Sequence, residues 1–253
     1  MGGSAVNYTL YVIPGSHACR SAILMLEHKQ VPYRRVDVVT LTHPVVARLH
    51  GFDAGGQRRT AGGRRTLGIR LGDLLGTVPG LAVNGTRVST NHRIARYLDE
   101  RHPEPRLLPA DPERRRAVEE AERWANDEFQ MTARRVLGGA AIRDPVAFSR
   151  RTGDGRMGYL LYRHELARRL ILPFIARVPF AVDRSTDDEL LPELPEMLDR
   201  IDAWIADGVI GGEELNVADF MIVTSLALML YRPDILSFME GRPSLELVDR
   251  LLP

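Results

Sequence analysis

Asn216-Val217-Ala218-Asp219 stands between the loop Gly211-Gly212-Glu213-Glu214 and the apolar run Phe220 to Leu230. An Asn in this place can accept a hydrogen bond from an unpaired N–H of the first helical turn. An acid three residues on reaches back to the Asn backbone, which makes a reciprocal capping box. The helix that follows is apolar nearly all round, so its body belongs in the middle of a domain. The box itself reads as a structural cap, and its value is positional.

Outward from that helix, the other end of the chain has a different period. Tyr8 to Ile13 alternates and is rich in β-formers, Pro14-Gly15-Ser16 breaks it, and Ala18 to His28 has helical spacing with Ile23, Leu24 and Leu26 apolar. Tyr33 to Val39 reads as a second strand. Strand, turn, helix, strand is the opening unit of a parallel α/β arrangement. Thr77-Val78-Pro79-Gly80-Leu81-Ala82-Val83 then runs into Asn84-Gly85 and Thr86-Arg87-Val88, and Asn-Gly between two short β runs is a strong hairpin signal. A helix over Asn91 to Leu98 follows, with Ile94, Tyr97 and Leu98 on one face.

Arg101 to Pro112 holds four prolines and reads as an extended connector. Asp111 with Pro112 behind it suits an N-cap and first helical position. Helical patterns cover Glu113 to about Leu137, Tyr159 to Ile175 and Leu194 to Ile205, so the C-terminal part is all-helical. The division expected is an α/β domain over 1–101, a connector over 102–112 and an all-helical domain over 113–253. Residues 51–76 interrupt the first domain with glycines and Arg58, Arg59, Arg64, Arg65 and Arg70. Their composition suits a solvated loop; the sharper alternative is an arginine-rich lid that clamps a carboxylate or phosphate.

At 253 residues and 44% hydrophobic content the chain can build two packed cores. A net charge of +1 provides no global field for nucleic acid or a membrane surface. One lysine, Lys29, stands against 33 arginines, a skew that reads as GC-rich coding. Cys19 is the only cysteine, which excludes an internal disulfide and a cysteine-based zinc site, and no metal is expected. Without a basic leader ahead of an apolar block, or an apolar run long enough to span a bilayer, the expected location is cytoplasmic.

The capping box resembles the one that opens the central helix of the helical domain in cytosolic glutathione transferases, where a Ser or Thr usually stands in place of Asn216 and an Asp matches Asp219. The order βαβ, α, ββα resembles their thioredoxin-like domain, and the resemblance covers both halves of the chain apart from the insertion. It implies a thioredoxin-like N-terminal domain plus an all-α C-terminal domain, a small-thiol cosubstrate such as glutathione, an electrophilic small-molecule partner and a homodimer.

The same resemblance assigns roles to residues. Ser16 falls where glutaredoxins and omega-type transferases carry a reactive cysteine, and Cys19 at the second cysteine of the glutaredoxin pair. A thiol of pKa near about 8.5 reacts as its anion, and lowering that pKa by about two units takes roughly 2.7 kcal/mol of preference for the anion. A hydroxyl at a helix start can provide part of it, so Ser16, with Gly15 before it, is the leading catalytic candidate. A plain helix cap is the alternative. Cys19 is the rival, as in beta-type transferases, unless it is a small buried hydrophobe. His17 assists either residue or faces solvent.

Val78-Pro79 matches the family's cis-proline, which implies that Val78 offers its backbone N–H and C=O to the cysteinyl part of the thiol. Transferases usually place Glu or Gln followed by Ser at the start of the helix after the hairpin. Here the pair is Thr90-Asn91, so Asn91 would cap the helix and leave an anion site, and the amino group of glutathione loses a partner. The electrophile pocket would draw on Trp124, Phe129, Tyr159 and Tyr162, although apolar residues at helical spacing are usually core. Two readings from other classes stay open: a non-catalytic binding module on this fold, and a thiol-disulfide oxidoreductase using Cys19.

Overall fold

Every residue of the helix Val217–Met229 is buried, and the capping box at its start is complete. The computed structural model describes residues 7–40, 42–54, 60–61, 63–146 and 165–252. Numbered along the chain, the first domain contains β1 (Tyr8–Val12), α1 (His17–His28), β2 (Tyr33–Asp37), α2 (His43–Leu49), α3 (Leu67–Leu75), β3 (Gly80–Val83), β4 (Thr86–Ser89) and α4 (Asn91–Arg101). The helical part contains α5 (Pro112–Trp124), a π turn (Ala125–Phe129), α6 (Gln130–Arg143), α7 (Glu165–Arg177), α8 (Thr186–Leu190), α9 (Leu194–Ala206), α10 (Val217–Met229), α11 (Pro233–Met239) and α12 (Pro243–Leu251). No helix among the described residues is long and apolar enough to cross a membrane.

The sheet runs β2-β1-β3-β4, with β1 parallel to β2 and antiparallel to β3. Leu10 faces Leu81, which faces Val88, and all three are buried. The Asn84-Gly85 turn takes positive φ at both residues, 45° and 90°, the geometry a two-residue hairpin with right-handed strand twist demands. Tyr11 is core, its ring edge-on to Phe52 at 5.2 Å.

Residues 51–76 depart from the loop reading. Thr66 caps α3 by accepting from the Ile69 N–H, and its hydroxyl donates to the Pro179 carbonyl at 2.6 Å. At Gly68 a Cβ would lie 2.7 Å from the Pro179 side chain, so only glycine lets α3 press this closely on the helical domain. Arg65 pairs with Asp73 at 2.5 Å within the segment; Arg58 and Arg59 lie outside the described residues.

Lys29 and Asp99 lock the connector. The Lys29 ammonium, fully buried, donates to the carbonyls of His102 and Pro105 and meets Asp99 at 2.7 Å. Asp99 also accepts from the N–H groups of Leu107 and Leu108. The two domains then meet along α1 and α10, where the buried Ser21 hydroxyl bonds Thr224 Oγ1 at 2.8 Å and donates to the Phe220 carbonyl at 3.0 Å. A buried hydroxyl pair of this kind fixes register as well as contributing stability, because shifting either helix leaves polar groups unpaired.

Candidate active site

A cavity of about 480 Å³ opens between the first domain and the helices of the second. One corner is the start of α1. Gly15 sits at φ 75°, a left-handed conformation open to glycine at little cost, and turns the chain out of β1. Ser16 is extended and half-buried, and its Oγ accepts the Cys19 N–H at 3.4 Å as the helix cap. A hydroxyl that accepts still has its own proton to donate. Gly15, Ser16, His17 and Ala18 all line the cavity.

A second lip comes from the residues that lead into β3 and α4. The Val78–Pro79 peptide is cis, both residues line the cavity, and the Val78 carbonyl accepts from Thr77 Oγ1 at 3.3 Å. Thr90 and Asn91 line it too, but their division of labour differs from the sequence expectation. Thr90, at φ 72°, is the residue before the helix, and Asn91 is the first helical residue. Asn91 therefore does not cap. Its amide donates to the Ala18 carbonyl at 2.9 Å and ties the starts of α1 and α4 together, while its Oδ1 is buried without a hydrogen-bond partner.

His17 is 3% exposed and does not face solvent. Its Nε2 has no hydrogen-bond partner, and burial, reinforced by the charge of Arg134, holds its pKa well below the usual histidine range. The ring is neutral at physiological pH. Cys19 points the other way, into the core at 1% exposure, where its sulfur accepts the Ile13 N–H at 3.4 Å. Burial pushes the thiol pKa up despite bonds from Ile13 and Ser16, the reverse of what a reactive cysteine needs. Cys19 does not line the cavity.

The helical wall is one face of α6 and the turn before it. Asn126, Gln130, Arg134, Leu137, Gly138 and Ala141 recur at spacings of three and four and line the cavity. Trp124 and Phe129 are not on that face. They stack on each other at 4.9 Å, with Trp204 edge-on to Trp124, and both are buried away from the cavity. Five residues apart, they would sit on different faces of a uniform α-helix; the π turn Ala125–Phe129 brings them onto one side, where they stack. Tyr159 and Tyr162 lie outside the described residues.

Sequence reasoning missed two walls. Leu67, Ile69 and Leu71 of α3 line the cavity, whereas Arg64, Arg65 and Arg70 do not. Arg134 is the one Lys or Arg, and no Asp or Glu appears, among the described lining residues. Its Nη2 donates to Gln130 Oε1 at 3.3 Å, and its guanidinium lies 5.8 Å from the Phe180 ring centre. Arg134 and Arg135 stand side by side in α6, so nothing local in the sequence singles out the one that lines the cavity.

No protein-family model and no curated protein sequence matches the chain. Solved structures do. A glutathione S-transferase of Ceriporiopsis subvermispora, in complex with glutathione, superposes at TM-score 0.61 and 17% identity, covering 96% of each chain. A β-etherase from Sphingobium sp. strain SYK-6 matches at TM-score 0.59 and 18% identity over 96% of this chain and 94% of that one. A glutathione S-transferase from Rhodospirillum rubrum F11 matches at TM-score 0.51 and 18% identity, over 97% of this chain and 91% of that one. With the four-stranded sheet, the cis-proline lip and the buried central helix, the chain carries the glutathione-transferase fold.

Proposed function

We propose that this protein is a glutathione-transferase-like enzyme that binds a small thiol, glutathione or an analogue, and directs its sulfur at an electrophilic small molecule. The observation that supports this most is the Ser16 corner: a hydroxyl that caps α1 and lines the cavity, together with Val78 and the start of α4. The N–H groups of a helix start add a positive field in the same direction. A thiolate there is stabilised without any covalent role for Ser16.

Thr90 and Asn91, at the start of α4, suit the amino-acid end of such a thiol, and the unpartnered Asn91 Oδ1 is an acceptor for its amino group. The thiol proton leaves to water. The thiolate then bonds to the electrophilic carbon, and the displaced electron pair leaves with a halide, opens an epoxide, or moves to a neighbouring carbon that takes a proton from water. Reversal of the last route after bond rotation gives cis-trans isomerisation.

The test is turnover of a general electrophile with glutathione and with other small thiols, wild type against Ser16→Ala. A fall of about tenfold or more, roughly 1.4 kcal/mol of barrier, is expected. Thiol binding with no turnover by wild type would instead make the chain a binding module on this fold. Unchanged turnover in Ser16→Ala would remove Ser16 from the chemistry.

A further inference from the structure

Arg134 is set into a wall of different character. Its neighbours on the cavity face of α6 are amides, small residues and leucine, with Asn126 and Gln130 on one side and Leu137, Gly138 and Ala141 on the other. The half-buried guanidinium is held in orientation by the Gln130 amide and the Phe180 ring. Among its described lining residues the cavity carries one guanidinium, that of Arg134. No carboxylate lines it among the described residues, and the starts of α1 and α4 point their N–H ends into it.

Beside Arg134 stands the buried His17 ring with Nε2 unpartnered. Because the ring is kept neutral, it offers one N–H and one acceptor and can serve an oxygen that Arg134 also holds. A carboxylate can accept charge-assisted hydrogen bonds from a guanidinium, which an uncharged electrophile matches only weakly.

The cavity mouth adds a second requirement. Leu67 and Leu71 of α3 are 65% and 43% exposed, and Phe174 and Val178 of α7 are 52% and 39% exposed. All four line the cavity. Solvent-facing apolar surface of this kind, rimming an opening, fits the skeleton of a ligand that reaches outward.

We propose that the electrophile this site takes is a carboxylic acid with an apolar body, its carboxylate on Arg134 and its skeleton along Leu71, Phe174 and Val178. The inference rests on the thiol-activating reading above and names the second substrate of that site.

The experiment compares an aryl enone bearing a para-carboxylate with its methyl ester, using glutathione as thiol, in wild type, Arg134→Gln and Arg134→Lys. What is read is the acid-to-ester ratio of kcat/KM within each protein, so a general loss from altered folding or weaker thiol binding cancels. Wild type should prefer the acid. Arg134→Gln should cut that preference by about tenfold or more, the scale of a lost charge-assisted hydrogen bond, and Arg134→Lys should restore part of it. An unchanged ratio in Arg134→Gln overturns the proposal, including the case in which Arg134 holds a carboxylate of the thiol, since that would depress both substrates alike.

If no thiol supports turnover, calorimetric binding of the saturated, unreactive acid and its ester to the same three proteins decides the question. Acid-selective binding lost in Arg134→Gln upholds the carboxylate site while the thiol chemistry fails. Equal binding of acid and ester by wild type sinks the site itself.

Discussion

Among the helices that begin with a polar cap, α10 and α1 are finished differently. At α10 the Asn216 side chain accepts from Ala218 N–H at 2.9 Å and donates to the Val209 carbonyl at 2.8 Å. Asp219 accepts from the N–H groups of Asn216 at 2.8 Å and Gly211 at 2.6 Å. At α1 the Ser16 oxygen makes one long bond to Cys19, the neighbouring His17 Nε2 has no partner, and the whole corner faces a cavity. The closed cap contributes to stability. The open one leaves a cavity-lining hydroxyl and a local positive field to whatever ligand arrives, so the same local device serves two purposes according to how completely its polar groups are satisfied.

The comparison breaks most severely at the closed cap. Asp219→Ala leaves two buried N–H groups without acceptors, and denaturant unfolding should show a loss of about 3 kcal/mol or more. A pH effect of similar size follows from the same carboxyl. Burial raises its pKa from 3.8 to about 6 despite the two N–H bonds, so the folded state binds the proton more tightly than the unfolded one. The contribution is therefore fully present below about pH 4 and is lost as pH rises toward 6, by about 3 kcal/mol. Asp219→Asn should flatten that part of the stability profile, read as the difference between the two proteins.

Ser16→Ala sharpens the contrast from the other side. Turnover should fall by about tenfold or more, roughly 1.4 kcal/mol, while the lost cap costs stability about 0.5–1 kcal/mol, at the low end for such caps because the bond is long. The smallest effect belongs to Cys19→Ser. Turnover should stay within about twofold of wild type, because the thiol lies in the core; stability should fall by about 1 kcal/mol from a more polar group in that place. A tenfold loss of turnover in this variant would return Cys19 to the site.

Much of the architecture was legible because it is written locally. The alternation of Tyr8 to Ile13, the Asn84-Gly85 turn, the Asp111-Pro112 start of α5 and the Asn216/Asp219 box each fix one element within a few residues. Misreadings came where distant packing decides. His17 looks like a solvent-facing residue until the helical domain folds over the start of α1, and Asn91 looks like a cap until Thr90 adopts a positive φ before it. The helix α3 was hidden because Gly68 and Gly72 dilute its pattern, yet Gly68 is there for close packing on Pro179. Trp124 and Phe129 are placed at the pocket by the family resemblance, and they are core instead, stacked across the π turn. Arg134 sits in α6 with no local mark of its placement; only the cavity gives it meaning.

The burial of Lys29 has a practical side. It is the chain's one lysine, so its ε-amine is a natural single-site reporter, sealed under the connector by His102, Pro105 and Asp99. A lysine-directed protease is shut out while that seam is docked. The rate at which its one cut arrives therefore measures how often the connector lifts, with no label introduced.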